Sequence, residues 1–495
     1  MKDDTGASSV KTSTDEPSSA SGSPSHDNRN RLIKLGALVL VAVIIWLIPT
    51  PAGLKPEAWH LFAIFVSTIL GFILKPLPMG GIAVLGMTAL SLTHTLTISQ
   101  TLSGFGNSTI WLIVIAFFIS RGFIKTGLGA RIAYLFVNKF GRKTLGLSYS
   151  LLASDLILSP AIPSNTARAG GVIYPIILSL AESFGSKPSN GTQRKIGSFL
   201  IFTSFQGNLV TSAMFMTAMA ANPMIAGFAS SVAGVSLTWT GWMVAGIVPG
   251  IVTLIILPLF LYKVYPPEVK ETAGASEMAA GKLREMGRFK PAEISMLCVF
   301  LLVLILWIAG DHLHIDATTT ALIGLSVLLI TRVLTWDDIK NEQGAWDTLV
   351  WFAALVMMAG YLNELGMVGW FSDKIGDSVS ALPWSLALII LALVYYYSHY
   401  FFASATAHIS AMYSAFLAVI LTVGTPPMLA VLILAFFSNL FGSTTHYGAG
   451  AAPVFFGSGY VNQNKWWSLG FMISILHIVI WFVVGGLWWK LLGLW

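Results

Sequence analysis

Cysteine and charge are the two things this sequence has least of. Cys298 is the single cysteine, which excludes an intrachain disulfide, a multi-cysteine zinc site and a cysteine-held iron–sulfur cluster. It sits in an apolar run and reads as filler. Charged residues make up 10% of the chain, against about 25% in soluble proteins. No water-soluble fold of 495 residues could hide so apolar a surface, so a soluble enzyme is excluded. There is no long basic stripe and no aromatic-plus-basic platform, which removes nucleic acid as a partner. Within the apolar runs there are neither paired carboxylates nor a His-Glu-x-x-His pattern, so a metal-dependent membrane enzyme has no support. No cofactor and no bound metal are expected.

What the chain does have is hydrophobic length. Fifty-five per cent of residues are hydrophobic, with 17 Trp and 30 Phe available for lipid and its interfaces. Residues 1–28 are rich in Ser, Thr, Asp and Gly and are expected to be a disordered cytoplasmic tail. The tail has no short apolar stretch followed by a small-residue cleavage site, and its acidic residues argue against an organelle transit peptide. Beyond it, about 20 helical residues cross a bilayer core of about 30 Å. That yardstick predicts eleven crossings, at 32–49, 58–74, 79–93, 107–126, 196–226, 241–263, 292–310, 316–333, 347–365, 427–460 and 466–493. Two stretches, 145–182 and 385–421, are too long for one crossing and carry polar breaks at their middles. Both are expected to be re-entrant hairpins. With the N-terminus inside, Lys and Arg gather in the inner loops, and the outer loops 94–106 and 227–240 hold none. Lys55 and Lys374 are the outer exceptions. This places the C-terminus outside.

Self-comparison finds a repeat. Pro163 to Arg168 aligns with Ala403 to His408 at an offset of 240, as do Asn107 with Asp347 and Trp111 with Trp351. Gly207, Asn208 and Ser212 fall on Ser438, Asn439 and Ser443 at an offset of 231. The predicted fold is therefore an all-α polytopic membrane protein, an inverted repeat of five transmembrane helices plus one re-entrant hairpin each, with one extra N-terminal helix. The expected organisation is a first helix and loop at 29–57, a first repeat at 58–263, a cytoplasmic linker at 264–291 and an inverted second repeat at 292–495. Inverted repeats with matching broken segments point to a secondary transporter with its site near mid-membrane. Unpaired backbone groups are tolerated there only where they line a cavity or are buried in protein. Their N–H ends attract anions, and two copies make a pocket with two matching halves, suited to a substrate with two carboxylates.

The candidate substrate-binding residues follow from that placement. Ser164, Asn165 and Thr166 occupy the first tip, Ser404 and Thr406 the second, and Asn208, Thr211, Asn439, Ser443, Thr444 and Thr445 the interrupted helices. Such hydroxyls can instead bond back to their own helix, and the Gly-rich run around Thr444 can be helix packing. The repeat and the flanking Pro160 and Pro163 favour the binding role. Arg168 and His408 lie one turn beyond the tips, and a cation at membrane depth defaults to function. The competing assignment pairs Arg168 with Asp155 and makes His408 a core histidine. Tyr395, Tyr396, Tyr397 and Tyr400 read as packing.

These double Ser-x-Thr tips and Asn-containing interrupted helices resemble the divalent anion/sodium symporter family. Lys55-Pro56-Glu57-Ala58-Trp59, Arg121 to Gly129, Thr166 to Gly171 and Tyr265-Pro266-Pro267-Glu268 are similar to its citrate-carrier branch of antiporters. The resemblance covers nearly the whole chain after the tail. It implies a homodimer of protomers with a scaffold and a moving, elevator-like transport domain. It also implies di- or tricarboxylate substrates of the malate, succinate, fumarate, 2-oxoglutarate, tartrate and citrate class, and the short acidic-containing tail, unlike a plastid leader, makes a bacterial inner membrane the expected location. Sodium-coupled relatives carry Ser-Asn-Thr at both tips, whereas here the second reads Ser404-Ala405-Thr406. The lost amide and the adjacent His408 weaken a sodium site, so sodium-independent antiport is expected, with sodium-coupled symport as the alternative. A channel would build its pore from oligomer symmetry, which an inverted repeat within one chain does not require.

Overall fold

The computed structural model describes residues 24–367, 369–371, 374 and 383–495. Among them every regular element is a helix, and the β structure is one isolated bridge between Lys143 and Glu271. Ten of the described helices are long and apolar enough to cross a bilayer. The chain is thus an all-α, multi-pass membrane protein.

The first half runs α1 (Pro24–Leu47), α2 (Pro56–Leu74), α3 (Met79–Leu92), α4 (Ser108–Thr126) and α5 (Leu128–Phe140). A hairpin follows, with α6 (Thr144–Leu158) as one arm. Its other arm is α7 (Asn165–Arg168), a π turn (Ala169–Ile173) and α8 (Tyr174–Ser183). α9 (Gly197–Met214) breaks and resumes as α10 (Asn222–Ala233), and α11 (Trp239–Val264) closes the half. α12 (Ala273–Met286) connects to α13 (Pro291–Leu313), α14 (Ala317–Ile330) and α15 (Gln343–Glu364). The second hairpin is α16 (Trp384–Ser398), α17 (Ala405–His408), a π turn (Ile409–Tyr413) and α18 (Ser414–Thr422). α19 (Pro427–Leu440) and α20 (Gln463–Ile480) complete the chain's main helices.

Two expectations shift. Helix α1 begins at Pro24, inside the stretch expected to lack structure, while residues 1–23 lie outside the described residues. Helices α3 and α14 have 14 residues each, about 21 Å at 1.5 Å per residue, and fall short of a full crossing. The stretch 196–226, expected as an interrupted helix, is two helices, because Phe215 turns to extended backbone at φ −129°.

Local chemistry sets these boundaries. The Asn107 side chain accepts from the amides of Thr109 and Ile110 to open α4, and Gly127 at φ 77° ends it in the left-handed region. Asp316 and Asn462 cap α14 and α20 in the same way. The helices then pack into two groups. Helices α2, α3, α4, α13, α14 and α15 form one, and α6, α9, α11, α16, α18, α19 and α20 the other, with α10 touching both and α11 also meeting α13.

Helix α11 shows how breaks are repaired away from water. Pro249 has no N–H, which leaves the carbonyl of Ala245 without its helical donor. The indole of buried Trp489 donates to that carbonyl at 2.9 Å, and Trp488 donates to Val244 at 2.7 Å. Trp489→Phe keeps the ring stacked on Phe436 (5.6 Å) but removes the donor. We expect it to lower stability by ~1–3 kcal/mol, measured as a lower melting temperature of the solubilised protein. An unchanged melting curve would show that another donor reaches Ala245.

Candidate functional site

The two hairpin tips share one local design. Ser164 and Ser404 both have extended backbone and accept a hydrogen bond from the amide three residues on, Ala167 at 3.1 Å and Ala407 at 3.4 Å. Each cap opens a four-residue helix that passes directly into a five-residue π turn. Such turns are rare and concentrate at functional sites. Ser164, Asn165, Thr166, Ser404 and Thr406 are half-buried, and the Thr166 hydroxyl donates to Asn165 Oδ1 at 3.4 Å. The first tip faces the irregular segment after α19. A Cβ on Gly450 would lie 2.3 Å from the Thr166 hydroxyl oxygen, so only glycine permits that approach.

The other expected site residues are buried. Arg168 is wholly enclosed behind the first tip. Its Nε donates to Asp155 (3.2 Å), its Nη1 to the carbonyls of Ile162 (2.5 Å) and Ala218 (2.6 Å), and its Nη2 to Ser212 (2.7 Å). Asp155 also accepts from Asn208 Nδ2 at 3.2 Å and from the Thr211 hydroxyl. Asn208 and Thr211 therefore hold Asp155 rather than face an open pocket. Arg168, expected to present its charge to a substrate, instead fills the carbonyls that the broken segments expose. With Asp155 beside it, it forms an ion pair without net charge.

The second half solves the same problem with imidazoles. Buried His408 is stacked between Phe402 (4.5 Å) and Phe441 (4.6 Å). Its Nδ1 lies 3.0 Å from Nδ1 of buried His399, whose Nε2 lies 2.7 Å from the carbonyl of Gly448. The expectation that His408 meets substrate directly is revised in the same way, because both its ring nitrogens already have protein partners. Ser443 shares a hydrogen bond with Tyr396 (3.0 Å), and Thr444 donates to Phe441 (3.0 Å). Thr445 is buried with no partner for its hydroxyl. The face that segment 444–451 turns toward the first tip is its glycine backbone at Gly450, not these hydroxyls.

Asn222 ties the interrupted helices together. Its Nδ2 donates to the carbonyls of Ser212 (2.8 Å) and Phe215 (3.0 Å), and its Oδ1 accepts from Asn439 Nδ2 (2.8 Å). Sequence reading missed Asn222, Gly450 and His399. A lone amide before Pro223 and a histidine nine residues ahead of His408 were the available signals. Tyr395, expected only to pack, also shares a hydrogen bond with Ser438 (2.7 Å). Among the described residues no three His, Cys, Asp or Glu side chains are placed to hold a metal ion.

Residues 29–495 match the family described as the sodium:sulfate symporter transmembrane region. The chain is 71% identical to YflS of Bacillus subtilis (strain 168), to which malate transport is ascribed, over 94% of this chain and 97% of that one. It is 52% identical to "Dicarboxylate transporter 1, chloroplastic" of Spinacia oleracea, over 93% and 81% of the two chains. It is 35% identical to "Inner membrane protein YbhI" of Escherichia coli (strain K12), over 94% and 99%. Among solved structures, the YdaH transporter of Alcanivorax borkumensis shares the fold, with a TM-score of 0.54 at 12% identity over 94% of this chain and 98% of that one.

The buried pair behind the first tip can be tested on its own. Asp155→Asn leaves the enclosed guanidinium without its counter-charge, and removing one partner of such a pair destabilises by ~3–5 kcal/mol. Thermal melting of the purified variant should show that loss. Wild-type stability would mean that the carbonyls and Ser212 suffice for Arg168.

Proposed function

We propose that this chain, which belongs to the sodium:sulfate symporter family, exchanges di- or tricarboxylates across a bacterial inner membrane by a sodium-independent, elevator-type antiport. The observation that carries this reading is what fills the free carbonyls of the broken segments. In ion-coupled carriers such carbonyls and helix ends coordinate the ion. Here the Arg168 guanidinium bonds those of Ile162 and Ala218, and His399, beside His408, reaches that of Gly448. A sodium ion would have to displace resident donors. The substrate class follows from relatives whose names specify dicarboxylates, including the spinach transporter at 52% identity.

Substrate then meets the accessible tips, with Ser164, Asn165, Thr166, Ser404 and Thr406 donating to its two carboxylates. The buried residues Arg168, Asn208, Thr211, His408, Asn439, Ser443, Thr444 and Thr445 support the tips from behind. The two helix groups suit a fixed scaffold and a moving transport part, and the matched tips suit an inverted repeat within each protomer of a homodimer. The N-terminus is assigned to the cytoplasm and the C-terminus to the outside, by the basic inner loops. Because Arg168 is balanced by Asp155, an uncompensated cation is not what makes exchange obligatory. Polar groups at the tips lose water when they cross the apolar constriction, which is unfavourable without a partner. A bound dianion supplies that partner, so the carrier returns readily only when loaded.

A second reading, sodium-coupled symport, is favoured by one observation. The amide oxygens of Asn208 and Asn439 are buried without partners, at corresponding places in the two halves.

Counterflow decides between them. In proteoliposomes, unlabelled internal malate or succinate should accelerate uptake of the labelled acid equally in sodium, potassium or choline. A steep sodium dependence would overturn the antiport reading in favour of symport. Thr166→Ala with Thr406→Ala should abolish exchange in protein of normal abundance, since an unsatisfied carboxylate oxygen at each tip costs ~1–3 kcal/mol. Full exchange by that double variant would remove both threonines from the site.

A further inference from the structure

The imidazole pair behind the second tip forms a hydrogen-bond chain with a defined direction. The Gly448 carbonyl can only accept, so Nε2 of His399, 2.7 Å away, carries a proton. In a neutral ring Nδ1 is then a bare acceptor, and Nδ1 of His408 at 3.0 Å must be the donor. His408 Nε2, 3.2 Å from the Ser398 hydroxyl, is left as an acceptor, and that hydroxyl divides its one proton between this nitrogen and the Tyr395 carbonyl at 2.9 Å. Both rings are fully buried, so no water can substitute for the link between them or for the link to Gly448. The rings are also clamped face to face, His399 on Phe441 at 3.8 Å and 20°, and His408 on Phe402 at 4.5 Å and 8°. Close approach to the loop requires its glycine, because a Cβ on Gly448 would lie 2.9 Å from His399 Nε2.

We propose that His399 is a positioning residue. It fixes the Nδ1–H tautomer and ring plane of His408, and it anchors the segment that carries Gly450 against Thr166. One side chain thereby ties the tip of the second hairpin to the loop that meets the first. Two residues beyond Gly448, Gly450 lies so near Thr166 that a Cβ there would come within 2.3 Å of its hydroxyl oxygen. Without the imidazole, the Gly448 carbonyl and the His408 N–H both lose the partner the fold gives them. This role rests on the transport reading, since the contact it holds belongs to the tips assigned to substrate.

Two substitutions in the full-length protein separate the functions of the ring. His399→Phe preserves the stack on Phe441 and removes both hydrogen bonds. His399→Gln restores one donor and one acceptor on a flexible side chain. Malate exchange in proteoliposomes should fall about tenfold or more in the Phe variant, through a raised KM, and recover most of that loss in the Gln variant at equal abundance. In nitrogen-15 histidine spectra of the wild-type protein, His408 should appear as the Nδ1–H tautomer. Wild-type kinetics in the Phe variant, a Gln variant no better than Phe, or an Nε2–H tautomer for His408 would each overturn the proposal. If the Phe variant does not fold, the wild-type spectrum and the Gln variant still decide it. Absence of dicarboxylate exchange by the wild-type protein would count against the transport reading, while the His408 tautomer tests the positioning role separately.

Discussion

Wherever this chain leaves helical geometry inside its apolar interior, backbone carbonyls lose their amide partners, and most of its unusual side chains sit beside such carbonyls. Water is not available there, so an orphaned carbonyl must be met by protein or by something the protein binds. Trp489 meets the carbonyl freed by Pro249, and Trp488 meets its neighbour. Asn222 meets two carbonyls at the break between α9 and α10, and Arg168 meets a third at Ala218. At these breaks the freed carbonyls are held by donors from other parts of the chain.

The same requirement explains why the few buried charges are where they are. Arg168 brings several donors in a rigid fork, enough for two carbonyls, a hydroxyl and Asp155 at once. A lysine could not reach all four. Asp155 in turn organises Asn208 and Thr211, so one ion pair fixes the first hairpin against the interrupted helix. A second buried pair follows the same pattern away from the tips. Arg131 pairs with Glu293 at 2.7 Å and donates to the carbonyls of Gly287 and Met286, joining α5 to the start of α13.

The two halves reach equivalent ends by unlike means. Both tips use a serine cap, a short helix and a π turn. Behind them one half places a guanidinium and carboxylate, the other two stacked imidazoles. The tips stay similar because their backbone geometry is shared, while the donors behind them need only fill the local carbonyls.

Much of this was legible in sequence. The scarcity of charge and the length of apolar runs determined an all-helical membrane protein, because backbone groups in lipid must be satisfied within the segment. Pro160, Pro163 and the serine-containing tips marked the breaks, since proline and hydroxyl caps act over a few residues. What lay beyond reach was orientation across long separations. Arg168 and His408 were visible as intramembrane cations, but nothing local tells whether such a group faces a substrate or turns inward. That depends on Ala218, 50 residues from Arg168, and on Gly448, 49 residues from His399. Only the tertiary structure brings those carbonyls to their donors, and it decided that Arg168 and His408 are buried behind the tips while Ser164, Thr166, Ser404 and Thr406 are half-buried.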